Sequence, residues 1–196
     1  MTSPDLQRES HVQRESDVQH DEQLNAVAGG RYHGAPLIPL GDPMRDGLGP
    51  AAYANRADRP DLTVHGEAKI IPMRADPSFY IEPRDPDPRG YAVYGADDAL
   101  AGTIVDVWVD RSEPQVRYYE VELTTGEQRV LLPAPFARVR MSDHRVKVHA
   151  ITAAQFTHVP GIRTPDVITL LEEDKIQGYF SGGHLYAFAS RAEPLL

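Results

Sequence analysis

The chain has 196 residues and a formal net charge of −9, from 20 Lys+Arg against 29 Asp+Glu. This balance argues against a general binder of nucleic acid or anionic membranes because both require a positive field, although a local basic patch can survive an acidic total. The absence of cysteine excludes disulfides, thiolate zinc sites, iron–sulfur clusters and cysteine nucleophiles. The longest apolar run, residues 99–109, is interrupted by Asp106 and is shorter than the ~18 residues of a membrane span, so we expect a soluble chain or one held at a membrane through a partner.

Residues 1–30 form a polar N-terminal tail in which the segment 7–12 is nearly repeated as 13–18. The tail contains six acids, two bases and no aromatic residue. Such a stretch buries too little apolar surface to offset its ordering entropy, which predicts either disorder or ordering by a partner. Its apolar residues recur every six positions, a spacing that leaves no stable stripe on one face of a helix.

Residues 31–88 are predicted to form an extended strap. Ten of the 17 prolines lie between residues 34 and 88, and proline excludes long helices because it fixes φ and removes a backbone donor. Large apolar side chains are nevertheless spread through the segment, which has no obvious core of its own. We therefore expect the strap to lie over the surface of partner subunits, with a short strand over residues 68–73.

Residues 89–196 have the pattern of a mainly β domain. Residues 116–123 alternate with a period of two, as a half-buried strand does. Short connectors rich in turn residues separate the segments and favour a small antiparallel β-barrel or sandwich. The predicted strands cover residues 91–94, 100–109, 116–123, 128–132, 137–141 and 146–151.

A C-terminal helix is predicted over residues 168–180, after a helical turn over 152–156. Thr169 is the expected N-cap, and Glu172 three residues later completes a capping box. Glu172, Glu173 and Asp174 are interpreted as a solvated helix start, where the helix dipole favours acids. Gly182 and Gly183 are predicted to end the helix, with an extended segment over residues 182–187.

Five groups of residues carry a resemblance to a known family. They are GDPMRDGLGPAAY (41–53), KIIPM (69–73), VDVWVD (105–110), LLEEDKI (170–176) and GYFSGG followed by LYA (178–187). In order and spacing they resemble the H subunit of the purple-bacterial type photosynthetic reaction centre, from about residue 34 to the C-terminus. The β region is similar to the PRC-barrel fold named from that subunit.

The resemblance implies an accessory subunit that is not an enzyme and has no catalytic residues. It would cap the cytoplasmic face of the L and M subunits at the photosynthetic inner membrane, stabilise their assembly, and assist electron transfer between the quinones and proton delivery to the secondary quinone. It would bind no cofactor or metal directly, because bacteriochlorophyll, bacteriopheophytin, quinones and non-haem iron belong to the partner subunits. Light-harvesting antenna subunits are further candidate partners, and no nucleic acid is expected. Family members begin with a transmembrane helix, which we expect here from a separate H-like polypeptide.

His65, Glu67 and Lys69 are the first candidate proton-transfer residues. They share one face if this segment is extended, because side chains in a strand alternate with a period of two. Histidines and paired carboxylates titrate closest to neutral pH and are suited to collecting protons. The resemblance places His65 at a family histidine and Glu67 where relatives can have a second histidine, whereas Thr63 stands where they can have aspartate.

Glu113 and Arg117 complete the candidate site. The resemblance places them near the L/M interface below the secondary quinone, with Glu113 as a relay or electrostatic group and Arg117 as its charge partner. The simpler interpretation is an ordinary ion pair, worth about 0–1 kcal/mol if exposed.

Two other functions remain open. The first is a free-standing PRC-barrel adaptor in RNA or ribosome maturation, which has no need of a proline-rich apolar strap. The second is a small soluble enzyme that uses His65 and Glu67, which predicts turnover by the isolated chain. The sequence contains no G-x-S-x-G, glycine-rich phosphate loop or H-E-x-x-H motif.

Overall fold

A computed structural model describes residues 24–113, 115–126 and 128–192. Most of the predicted tail, residues 1–23, lies outside the described residues. The last residues of that tail contain strand β1 (Ala26–Ala28), which pairs antiparallel with β2 (Leu37–Pro39).

In the described part of the chain, the remaining strands form one seven-stranded sheet. The strands are β3 (Ile70–Pro72), β4 (Ala92–Tyr94), β5 (Leu100–Asp110), β6 (Gln115–Leu123), β7 (Arg129–Pro133), β8 (Ala137–Arg140) and β9 (Arg145–Val148). Six of them follow the order β7-β6-β5-β4-β9-β8, and β3 pairs with β5 off this path. Every pair is antiparallel except β4 with β9. Register shifts within the β5–β6 pair add twist, which helps the sheet to curl.

Helix α1 (Leu170–Tyr186) follows the sheet and a 3₁₀ turn (Ala154–His158). The predicted capping box is confirmed: the Glu172 N–H donates to Thr169 Oγ1 at 3.1 Å, and the Thr169 N–H donates to Glu172 Oε2 at 2.9 Å. The predicted mainly β, barrel-type fold with a C-terminal helix is thus confirmed.

The predicted end of the helix at Gly182 and Gly183 is wrong, as is the extended segment after it. The helix runs through both glycines to Tyr186, and both lie against neighbouring residues. A Cβ on Gly182 would lie 2.5 Å from Ala51 Cβ, and one on Gly183 would lie 2.5 Å from the Ala150 carbonyl oxygen. The glycines therefore permit close packing of α1 rather than ending it.

Strand β5 is buried on both faces, and an apolar cluster covers each. Ile104 and Trp108 belong to the larger cluster, against which α1 packs its Ile176, Tyr179 and Phe180. The second cluster lies on the other face of the sheet and consists of Val107 and Val109 with two residues of the strap, Ile71 and Met73.

The strap therefore packs partly on its own chain, through β3 and through the buried residues Met44, Leu48 and Ala51. The short strand predicted over residues 68–73 is confirmed as β3, but the rest of this packing was not predicted, because it depends on the glycines of α1 and on the second face of the sheet. The division of the chain at residue 88 stays a prediction. Among the described residues, no helix has both the length and the apolar character needed to cross a bilayer.

Candidate functional site

The predicted alignment of His65, Glu67 and Lys69 on one face of an extended segment is wrong. Residues 63–67 form a turn, closed by an antiparallel bridge between Leu62 and Ala68. Gly66 has a φ of +80°, and Thr63 Oγ1 accepts the His65 N–H at 3.2 Å. These local contacts favour a turn over a strand, since a threonine hydroxyl competes for backbone donors and glycine supplies the left-handed conformation.

The three side chains consequently occupy different environments. His65 is exposed at the turn, and its backbone N–H is the group that the turn uses. Glu67 Oε2 lies 2.9 Å from Arg111 Nη2. Lys69 Nζ lies 3.6 Å from Asp110 Oδ2 and from Asp61 Oδ2.

Asp110, at the end of β5, is the centre of the charged site. Its side chain is 1% exposed. Oδ1 accepts the N–H groups of Ser112 and Glu113, at 2.9 and 3.2 Å, and Oδ2 faces both Lys69 Nζ and Arg117 Nη1 at 3.6 Å. A buried carboxylate needs such partners because an isolated buried charge is costly.

The predicted pairing of Arg117 with Glu113 is wrong. Arg117 instead pairs with Asp110 and, through Nη2 at 3.7 Å, with Glu173 Oε2. Glu113 is exposed, and its backbone N–H donates a hydrogen bond to Asp110 Oδ1. Within the part of the chain that the structure describes, the Glu113 carboxylate makes no ion pair. Asp110 and Glu173 compete better than Glu113 for the Arg117 guanidinium, because these two buried carboxylates are desolvated.

Glu173 was interpreted from the sequence as solvated, but it is 6% exposed, and Glu172 beside it is 9% exposed. Burial raises the pKa of Glu173, against the opposing effects of a 2.9 Å hydrogen bond donated by the Tyr118 hydroxyl and of the Arg117 charge. Burial also raises the pKa of Tyr118, and the Glu173 carboxylate adds to that rise. Glu173 therefore holds a proton more readily than an exposed glutamate does.

We call the connected groups Lys69, Asp110, Arg117, Glu173 and Tyr118 the Asp110 cluster. It contains two of the predicted residues, Lys69 and Arg117, and contacts Glu113 through its backbone. The buried acids were missed by sequence reasoning. The sequence signal for a buried Asp110 was its position, at the end of an apolar strand and just before a turn.

A second charged cluster lies at the opposite end of β3. Arg74 bridges the buried carboxylates of Asp106 and Glu120 and the half-buried Asp166. Trp108 Nε1 donates to Glu120 Oε2 at 3.0 Å, beside a cavity of about 270 Å³. The cluster ties the strap to the sheet, and the acids that interrupt the apolar pattern of β5 and β6 were its only sequence signal.

The curled sheet, the C-terminal helix and the buried carboxylates at the strand end define a β-barrel class of domain with an internal charged site. Residues 82–155 match the family model of the PRC-barrel domain, and residues 5–75 match that of the photosynthetic reaction centre H-chain N-terminal region. Together the two matches support an H-subunit-like protein. The H-chain family consists of structural, membrane-associated reaction-centre subunits.

Proposed function

We propose that this chain is an H-type accessory subunit, without enzymatic activity of its own, that caps the cytoplasmic face of the L and M subunits at the photosynthetic inner membrane. It stabilises their assembly and assists electron transfer between the quinones and proton delivery to the secondary quinone. The pigments, quinones and non-haem iron are held by the partner subunits. The observation that carries the proposal is the presence of both matched regions, in succession, in one chain.

Exposed apolar side chains support a large partner surface on the strap and on the last residues of the tail before it. Of the twelve large hydrophobic side chains that are exposed among the described residues, nine lie between residues 24 and 80. Val64 is 96% exposed and Tyr80 is 73% exposed. A concentration of exposed apolar groups is typical of an interaction site. The nine are Leu24, Val27, Tyr32, Leu37, Leu40, Tyr53, Leu62, Val64 and Tyr80.

The Asp110 cluster supports a part in proton delivery. Lys69 and Arg117 are about one-third exposed, whereas Asp110 and Glu173 are almost fully buried, so charge extends from the surface to the interior. Glu173 has the raised pKa that lets a carboxyl hold and release a proton nearer to neutral pH. Glu113, next to this cluster and exposed, is suited to exchange protons with a neighbouring subunit.

Co-purification tests the assembly. An affinity tag on this chain should recover a pigmented membrane complex that contains L and M subunits. Recovery of the chain alone from photosynthetically grown cells would contradict the proposal.

Flash kinetics in the intact complex test the proton role. Glu113→Gln should slow the second, proton-coupled electron transfer to the secondary quinone by about a hundredfold, the lower end of the range for loss of one proton-transfer group. Glu82→Gln, which removes an exposed strap carboxylate paired with Arg84, is the matched control and should leave the rate unchanged. Unchanged kinetics in Glu113→Gln, with the complex assembled, would remove Glu113 from the proton path.

A further inference from the structure

The β8–β9 hairpin is strongly basic in an acidic chain. Residues 137–149 contain four Lys/Arg and a single acid, although the whole chain carries a net charge of −9. The inward positions of the hairpin are apolar, with Val146 and Val148 fully buried. The four cations occupy the outward positions and form one face: Arg138, Arg140, Arg145 and Lys147.

The cations lie directly opposite one another across the two strands. Arg138 is paired in register with Lys147, and Arg140 with Arg145. Like charges directly opposite each other destabilise a strand pair, so this arrangement costs the isolated chain stability. An anion bound on this face would remove that cost.

Three of these cations are free to bind an external anion. Lys147 is occupied by Asp98 Oδ1 and the Gly95 carbonyl oxygen, both within 2.6 Å. Arg145 lies 5.0 Å from the ring centroid of Tyr94. Within the described residues, Arg138, Arg140 and Arg145 make no ion pair, and all three are exposed.

The surroundings of the hairpin indicate the kind of anion. Met141, in the turn between the strands, is 59% exposed next to Arg140. A groove of about 430 Å³ beside β8 is lined by Arg138, His149, His184 and Phe136, among others. Burial, reinforced by the charges of Arg138 and Lys147, lowers the pKa of His149, which is in keeping with a positive potential there. The acid in the turn, Asp143, accepts a hydrogen bond from the Ser142 hydroxyl at 3.1 Å.

We propose that the β8–β9 hairpin is a docking surface for an anionic lipid bilayer, with Arg138, Arg140 and Arg145 on the headgroup phosphates and Met141 at the level of the upper acyl chains. Arginine forms paired hydrogen bonds with phosphate oxygens, and basic side chains beside an exposed apolar group fit the boundary between headgroups and hydrocarbon. The inference does not rest on the reaction-centre assembly.

Vesicle sedimentation with the full chain tests this surface. At low salt the chain should bind phosphatidylcholine vesicles that contain about 40% phosphatidylglycerol, and it should not bind phosphatidylcholine alone. The Arg138→Gln, Arg140→Gln, Arg145→Gln triple variant should lose about a hundredfold in partition coefficient, at about fivefold for each arginine. Raised salt should weaken binding of the unsubstituted chain.

The matched control removes the same charge elsewhere. The Arg31→Gln, Arg45→Gln, Arg84→Gln triple variant changes three exposed arginines outside the hairpin and should keep its vesicle binding. Equal binding to neutral and anionic vesicles, or equal loss in the two triple variants, would overturn the proposal. Retention on immobilised polyglutamate together with no binding to anionic vesicles would also overturn it and would assign the face to an acidic protein. Thermal unfolding of the hairpin variant should show an intact fold, since all three side chains are exposed.

Discussion

Glu173 combines three influences at one carboxyl group: burial, the Tyr118 hydroxyl and the Arg117 guanidinium. Burial is the largest of them and leaves the pKa raised. Removing a single partner from such a group is expensive because the remaining charge stays buried. The hydrogen bond from Tyr118 and the ion pair with Arg117 thus decide whether a buried glutamate is tolerated at the start of α1.

The raised pKa of Glu173 makes stability depend on pH in a defined direction. The folded chain holds this proton more tightly than the unfolded chain. The contribution of Glu173 to the free energy of unfolding therefore falls as the pH rises above 4.5, the ordinary pKa of a glutamate side chain. Glu173→Gln removes this contribution and keeps an acceptor for Tyr118. The stability difference between variant and unsubstituted chain should therefore move in favour of the variant between pH 4 and pH 7, measured by urea unfolding. A shift in the opposite direction would contradict the raised pKa of Glu173.

Thr169 determines the start of α1 through both halves of the capping box, and its hydroxyl also donates to Asp58 Oδ1 at 3.0 Å. Thr169→Ala should cost about 1 kcal/mol of unfolding free energy, the usual value of a lost N-cap. Thr169→Ser keeps the hydroxyl and should restore most of the loss. Equal losses in the two variants, measured by urea unfolding, would show that the methyl group rather than the cap is responsible.

Helix α1 depends on small residues where it crosses the strap. A Cβ on Gly178 would lie 2.7 Å from the Ala51 carbonyl oxygen, a contact that side-chain movement cannot relieve. The strap approaches the helix because no side chain separates them. Glycine in this helix is therefore a packing element, despite its low helix propensity.

Gly178→Ala tests this packing because two effects of opposite sign compete. Alanine favours a helix interior by about 1 kcal/mol over glycine, whereas overpacking against fixed backbone costs typically about 1–3 kcal/mol. We expect a net loss of stability in thermal or urea unfolding. Gly161→Ala, at a position with open space around the added Cβ, should be close to neutral. A stabilised Gly178→Ala chain would show that the strap does not pack as described.

Local patterns predicted the elements of this fold but not how they contact one another. The alternation in β6 and the capping box of α1 depend on neighbouring residues and were found from the sequence. Gly182 failed as a helix end because the same residue suits a C-cap and a close backbone contact, which the sequence does not distinguish. The parallel pairing of β4 with β9 joins segments about 50 residues apart, so no local pattern carries it.

The candidate site was predicted in part for the same reason. Lys69 and Arg117 were found from the sequence, but the partner of Arg117 was taken to be Glu113, its neighbour along the chain. Its contacts are Asp110 and Glu173, the second of which belongs to the distant helix. The prediction that His65 and Glu67 share one face assumed an extended strand. It failed because Gly66 and Thr63 favour a turn.

The whole molecule divides its surface between apolar and charged regions. The strap buries Ile71 and Met73 against its own sheet and leaves other apolar side chains exposed. The β8–β9 hairpin concentrates positive charge. An isolated domain gains nothing from exposed apolar groups, so a protein that keeps them is expected to bury them in an assembly.

Replacing exposed strap residues should separate folding from assembly. Leu37, Leu40 and Val64 are 52%, 64% and 96% exposed, so changing all three to serine should alter the unfolding free energy of the isolated chain by less than about 0.5 kcal/mol per site. If the chain caps the L and M subunits as proposed, the same variant should lose co-purification with them, because the interface would lose apolar burial at about 25 cal/mol per Å². Leu100→Ser, at a 47% exposed position in the sheet, is the control and should keep co-purification. Full recovery of the complex with the triple variant would mean that these side chains remain in water after assembly, whereas loss of folding in the isolated chain would mean that they stabilise the chain itself.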